Sequence, residues 1–304
     1  MIAIHAQTER KRLDRSVRCA EKRRPWARKQ RLRGLIRPDP AVCATAGAAC
    51  GRKSLSSARI QAIFTSNDTP LGECRQKRKA TKMTVTFAFD VYGTLINPHG
   101  ITELIRKHVG DKAPQLSQLW REKQLEYSFR RGLMRLYRDF SVATENALDY
   151  ASAVFETPLS EDAKAELLTA YRKLPAFDDT APALNALHAQ DSKMFAFSNG
   201  RLSDVNSLLE NADVAKYLDG VISVDEIETF KPNPDVYAHF NKKTGSNPDT
   251  TWLVSSNPFD VIGARAVGWK AAWVQRTTTS KFDPWEIQPT KVISTLAELS
   301  GGVE

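Results

Sequence analysis

Hydrophobic and polar positions follow two different textures along the 304 residues of this chain. Up to about residue 82 the apolar positions keep no sustained period; from Met83 onward they do. Val85-Thr86-Phe87-Ala88-Phe89 is a short, β-prone apolar run ending in Asp90, which predicts a buried strand. Gly93 just beyond it permits a tight turn. From about 101 to 173 the pattern is helical. Leu116, Leu119, Trp120 and Tyr127 make one apolar stripe, and Leu133, Leu136, Tyr137 and Phe140 predict a second. Pro158 interrupts the pattern, and Ser160 is placed to N-cap a helix through Tyr171.

Beyond Pro175 short apolar runs alternate with helical stretches. Strands are expected at Met194 to Phe197, Val221 to Val224, Trp252 to Val254 and Ala271 to Val274. Helices are expected after Gly200 through Leu209, from Pro234 to Thr244 and from Pro258 to Val267. Such alternation implies right-handed βαβ units and a parallel sheet covered on both faces. The fold class is therefore α/β, with a Rossmann-like parallel-sheet core at 83–98 and 175–304. The helical block at 99–174 is too long for one crossover and reads as an inserted cap. Ligands on open α/β sheets bind beyond the carboxyl ends of the strands. Here those ends carry Asp90, Ser198-Asn199 and Ser255 through Asn257, so three strands deliver polar residues to one crevice.

Charge sharpens the division. The overall formal charge of +9 sums two unlike parts: residues 1–82 hold 21 Lys+Arg against 6 Asp+Glu, and residues 83–304 hold 23 against 29. A stretch so basic and so poor in apolar faces does not offset its ordering entropy, so 1–82 is expected to be a disordered extension. A nucleic-acid arm is one reading of it, but stacking aromatics are nearly absent, so no nucleic-acid partner is expected. A transit peptide is another, for which 82 residues is long. An upstream extension preceding a functional start at Met83 is the preferred reading. All four cysteines (Cys19, Cys43, Cys50, Cys74) lie in this part, with no spacing suited to zinc. The remainder uses no thiol chemistry, which fits a reducing cytoplasm. No apolar run approaches the roughly 20 residues of a membrane span.

An unpaired carboxylate at the end of an apolar strand is costly, which makes Asp90 a candidate for chemistry. Phe89-Asp90-Val91-Tyr92-Gly93-Thr94-Leu95, Ser198-Asn199, Lys231-Pro232 and Ser255-Ser256-Asn257-Pro258-Phe259-Asp260 occur in that order at strand ends. Together they resemble the four motifs of the haloacid dehalogenase superfamily, over nearly all of 83–304. Departures within the motifs choose the chemistry. Superfamily phosphatases carry a second Asp two residues after the nucleophile, as general acid, beside a backbone carbonyl that helps hold magnesium; here that position is Tyr92. They also carry an Asp metal ligand where this chain has Ser256, leaving only Asp260. Mg²⁺ needs carboxylate oxygens to compensate its lost hydration, and phosphoryl transfer depends on that neutralisation. Displacement of a halide needs neither metal nor proton, so no metal and no cofactor are expected.

The chain is similar to the L-2-haloacid dehalogenases, and the similarity implies conversion of short-chain L-2-haloalkanoic acids to D-2-hydroxy acids plus halide. Asp90 is then the nucleophile that inverts the α-carbon and forms an ester. Asp260 and Asn257 position the water that hydrolyses it. Lys231 keeps Asp90 ionised, and Tyr237 and Ser255 brace Lys231 and the water. Ser198 and Thr94 orient the substrate carboxylate beside Tyr92. Leu119-Trp120-Arg121-Glu122-Lys123-Gln124-Leu125-Glu126-Tyr127 resembles the family's cap segment, which makes Arg121 the residue of the halide and carboxylate region. Asn199 and Phe140 match the rest of the halide cradle, and Phe259 an aromatic wall. The implied partners are a small 2-halocarboxylate and water, and a homodimer is typical of the family. Read singly, Arg121 is an ordinary solvated helix residue and Asp260 a cap for the helix at Pro258. A phosphatase of a small phosphorylated metabolite and a non-catalytic small-acid-binding module are the alternatives.

Overall fold

A computed structural model describes residues 84–190 and 192–302. The basic extension 1–82, its cysteines and Met83 lie outside the described residues. Six parallel strands form one sheet in the order β3-β2-β1-β4-β5-β6. They are β1 (Thr86–Asp90), β2 (Lys193–Ser198), β3 (Gly220–Ser223), β4 (Thr251–Ser255), β5 (Lys270–Val274) and β6 (Lys291–Ile293). Every residue of β1 is buried, as expected of a central parallel strand covered on both faces. Successive side chains point to opposite faces. Phe87 and Phe89 therefore join one core with Met194, Ala196, Trp252 and Val254. Ala88 joins the other with Phe197, Leu253, Tyr237 and Phe240. The strand order reverses between β1 and β4, so the crevice at the switch point opens beside Asp90 and Ser255.

Between β1 and β2 the chain makes α1 (Thr102–Val109), α2 (Ala113–Met134), α3 (Phe140–Val154), α4 (Glu161–Tyr171) and α5 (Thr180–His188). Later helices are α6 (Leu202–Asn211), α7 (Pro234–Thr244) and α8 (Pro258–Ala266). The linkers into and out of the α1–α4 segment run side by side. Asn97 N–H donates to Pro175 O at 2.9 Å and Phe177 N–H to Leu95 O at 3.0 Å. Arg276 braces this crossing by donating to both Asp179 carboxylate oxygens and to the Thr94 carbonyl.

Ser160 caps α4 as expected, accepting from Ala163 N–H. The second stripe is corrected: α2 ends where Arg135 takes a left-handed conformation (φ 56°), and a new helix starts only after the Asp139 cap. Leu133 and Leu136 are consequently exposed, at 86% and 61%, while Phe140 is buried. Two further elements, α5 and the three-residue β6, have no counterpart in the sequence reading. Strand β3 ends at Ser223, and Val224 begins a 3-10 turn.

Candidate active site

The Asp90 carboxylate, 8% exposed, stands at the carboxyl end of β1. Its Oδ2 accepts from Thr94 Oγ1 at 2.9 Å, Ser255 Oγ at 3.2 Å and Asn257 Nδ2 at 2.7 Å. Its Oδ1 accepts from Lys231 Nζ at 3.1 Å. The tight turn after β1 makes this convergence possible. Gly93 sits at φ +92°, and a Cβ there would lie 3.1 Å from Ser256 Oγ. Ser256 Oγ donates to Gly93 O at 2.7 Å and Ser256 N–H to Thr94 Oγ1 at 2.9 Å, which ties the β4 end to the β1 end.

Lys231 is 1% exposed and spends all three ammonium protons. They go to Asp90 Oδ1, to Phe197 O at 2.7 Å and to Asp260 Oδ2 at 2.8 Å. Asp260 is fully buried, and its Oδ1 accepts from Tyr237 Oη at 2.9 Å. Burial pushes the Asp260 carboxyl up to about 6, against the pull of Lys231 and with the repulsion of Asp90. Burial and the Asp260 charge likewise hold the Tyr237 phenol well above its ordinary range. Asp260 does not cap α8; Asn257 occupies that position. Tyr237 reaches Asp260 because residue 263 is glycine, where a Cβ would fall 2.2 Å from Tyr237 Oη.

Above Asp90 lies a small, partly open cavity of about 10 Å³, lined by Asp90, Tyr92, Arg121, Ser198, Asn199 and Asn257, with Leu125, Phe140 and Phe259. Arg121 reaches down from α2, donating to Tyr92 O at 3.1 Å and to Gln124 Oε1 at 2.7 Å. The Tyr92 carbonyl also accepts from Asn257 Nδ2 at 3.2 Å. The Tyr92 ring stacks on Tyr171 at 5.8 Å, and burial first, with Tyr171 second, holds its phenol far above the ordinary range. Asn199 Oδ1 accepts from Lys231 N–H at 2.9 Å, which leaves its NH2 group to the cavity. Ser198 Oγ accepts from Gly200 N–H at 3.1 Å.

Eight of the expected residues thus line the cavity, namely Asp90, Tyr92, Arg121, Phe140, Ser198, Asn199, Asn257 and Phe259. Thr94, Lys231, Tyr237, Ser255 and Asp260 form the polar bed behind the carboxylate. Two residues were not anticipated. Leu125 lines the wall one helical turn after Arg121. Gln124, fully buried, holds Arg121 while donating to Thr144 Oγ1 and accepting from Tyr171 Oη. Polar Gln124 four residues after apolar Trp120 was the available signal, since a polar residue on a buried stripe must find partners. Among the described residues no cluster of three or more His, Cys, Asp or Glu is placed to hold a metal ion.

Comparison with known proteins places residues 84–268 against the haloacid dehalogenase-like hydrolases. An (S)-2-haloacid dehalogenase of Pseudomonas putida is 33% identical over 212 residues, covering 70% of this chain and 93% of the relative. (S)-2-haloacid dehalogenase 1 of Pseudomonas sp. (strain CBS-3) is 37% identical over 215 residues, covering 69% and 92%. The solved structure of L-2-haloacid dehalogenase from Xanthobacter autotrophicus with chloropropionic acid covalently bound superposes with a TM-score of 0.68 at 30% identity. That match covers 72% of this chain and 98% of the other.

Proposed function

From the premise that this chain belongs to the haloacid dehalogenase-like hydrolases, we propose that it is an (S)-2-haloacid dehalogenase. It hydrolyses short-chain L-2-haloalkanoic acids to D-2-hydroxy acids without a metal ion. One observation carries the choice of chemistry. Ser256, at the phosphatase metal-ligand position, offers only a hydroxyl that donates to Gly93 O, and the Tyr92 carbonyl accepts from both Arg121 and Asn257. The two positions that would seat a magnesium ion in a phosphatase of this superfamily thereby offer no carboxylate and no free carbonyl. The residue at the phosphatase acid position, Tyr92, is a buried phenol held far from proton transfer near neutrality.

In this reading an Asp90 oxygen attacks the α-carbon from the face opposite the halogen. A C–O bond forms as the C–X bond breaks, and the halide leaves with the bonding pair. No proton is needed for that departure. Arg121, its neighbour Asn199 and the ring of Phe140 receive the halide, and Ser198 and Thr94 with the backbone N–H groups after Asp90 receive the substrate carboxylate. Water held by Asn257 then gives a proton to Asp260 and adds to the Asp90 ester carbonyl. The tetrahedral intermediate expels the D-2-hydroxy acid as an alkoxide, which takes the proton back. Asp90 is left with one oxygen derived from water and releases a proton to solvent. Lys231 stabilises each anionic stage from below, braced by Tyr237 and Ser255.

Single turnover in H2(18)O tests the two-stage route. One heavy oxygen is expected in Asp90 and none in the first hydroxy acid released; label in the product alone would overturn the ester. The same reading makes 99–174 a cap over a core of 83–98 and 175–304, and it makes the protein cytoplasmic. No described helix is long and apolar enough to cross a membrane. A homodimer joined through exposed Leu133, Met134 and Leu136 completes it, and sedimentation equilibrium with a Leu133→Lys variant tests that pairing.

A further inference from the structure

Helix α2 meets the core along one line of residues: Arg121, Leu125, Phe129 and Gly132, spaced four, four and three. Arg121 and Leu125 line the cavity. Phe129 meets Phe259 with ring centroids 4.9 Å apart and planes at 71°. Gly132 faces Phe230, which lies within 4 Å of where its Cβ would be. This spacing keeps all four on one side of a helix.

The apolar part of the cavity wall is not equally firm all round. On one side Phe140 and Tyr92 are buried and backed by other rings: Phe140 by Phe230 at 6.4 Å, Tyr92 by Tyr171 at 5.8 Å. That side is further held by Tyr137, which packs at a tilt on Phe230 at 5.1 Å and donates a hydrogen bond to Asp225 on the core. On the other side stand Leu125, Phe129 and Phe259, all half-buried. The Phe129–Phe259 contact is an edge-to-face pair of hydrocarbon rings. The inner side of this wall is Phe259, and Phe129 supports it from α2.

The space directly over Asp90 is narrow, about 10 Å³, so a substrate held there presses on its walls. The polar walls are occupied by the groups that receive the carboxylate and halide, so the α-substituent is left to the apolar side. We propose that Phe129 is a specificity-determining residue: braced edge-on against Phe259, it closes the yielding side of the pocket and limits the length of the α-alkyl group. This rests on the dehalogenase reading above.

Phe129 itself does not line the cavity and touches no reacting atom, so its effect is read as a ratio between substrates. The kcat/KM for L-2-chlorohexanoate relative to L-2-chloropropionate is measured in the wild type and in Phe129→Ala, Phe129→Leu and Phe129→Trp. Each added methylene in such a pocket alters selectivity by roughly tenfold or more. The ratio is expected to rise about tenfold or more in Phe129→Ala, by less in Phe129→Leu, and to fall in Phe129→Trp. Thermal melts confirm that the variants compared are folded, and the Leu and Trp variants carry the test if the Ala variant is not. A ratio unchanged within about twofold across active variants would overturn this inference and leave the dehalogenase reading standing. Absence of halide release from the wild type with both acids would overturn that reading and the inference with it.

Discussion

The Lys231 ammonium lies 2.8 Å from Asp260 Oδ2, and neither side chain is measurably open to solvent. Asp90, 3.1 Å away, is the second carboxylate on the same cation. One buried positive charge therefore serves two negative ones, and the cluster carries a net negative charge beneath the cavity. Replacing Lys231 with Met leaves both carboxylates without their counter-ion. Removing one partner of a buried ion pair costs about 3–5 kcal/mol. A lower melting temperature is expected together with a loss of kcat of about a thousandfold or more, and the melt should recover toward acid pH as the carboxylates protonate. A melt independent of pH would show that Lys231 is not their counter-ion.

In the proposed route Asp260 sets the acid limb of activity. Its carboxyl, pushed up to about 6 by burial, must be ionised to take a proton from water. Activity should therefore fall as pH drops through about 6, with the slope of a single proton, while the unfolded group titrates near ~4. The sign for stability is opposite. The folded state binds this proton better than the unfolded chain, so the group's contribution to stability declines as pH rises from ~4 to about 6. A kcat profile flat down to pH 4.5 would contradict the assignment of Asp260 as base.

Arg121 joins the helical segment to the loop after β1 through a planar fork, with one nitrogen on Gln124 and another on the Tyr92 carbonyl. A lysine keeps the charge but not the two-pronged geometry. Arg121→Lys should lower kcat by about 10- to 100-fold with little change in melting temperature. Equal losses in rate and stability would mark Arg121 as a structural strut.

Gly263→Ala probes the bed beneath Asp90 from outside the cavity. The added methyl would meet Tyr237 Oη at 2.2 Å and the Pro232 side chain at 2.8 Å. Over-packing of this kind costs typically about 1–3 kcal/mol. Tyr237 should be driven off Asp260, lowering both the melting temperature and kcat. An unchanged rate would show that the Tyr237–Asp260 hydrogen bond does not contribute to turnover.

The sheet and the residues at its strand ends were readable in the sequence because both obey local rules. A parallel strand buried on both faces is a short apolar run, and a carboxylate or hydroxyl at its end is conspicuous. What escaped depends on tertiary context. Leu133 to Phe140 satisfies helical spacing, but Arg135 takes a left-handed conformation and splits it, and nothing periodic announces that. Helix α2 buries two faces at once: Leu116, Trp120, Gln124 and Ser128 are buried, and Leu125 and Phe129 meet the pocket wall. A single-stripe pattern detects the first and hides the second. Strand β6 is three residues long, too short for alternation to register.

Halide release from L-2-chloropropionate and from its D-isomer, in buffer with excess chelator, bears most directly on metal-free displacement at Asp90. Stoichiometric chloride from the L-isomer, D-lactate as product and no chloride from the D-isomer are expected. No chloride from either isomer, with hydrolysis of a phosphate ester appearing on addition of magnesium, would contradict the account at Tyr92 and Ser256 together.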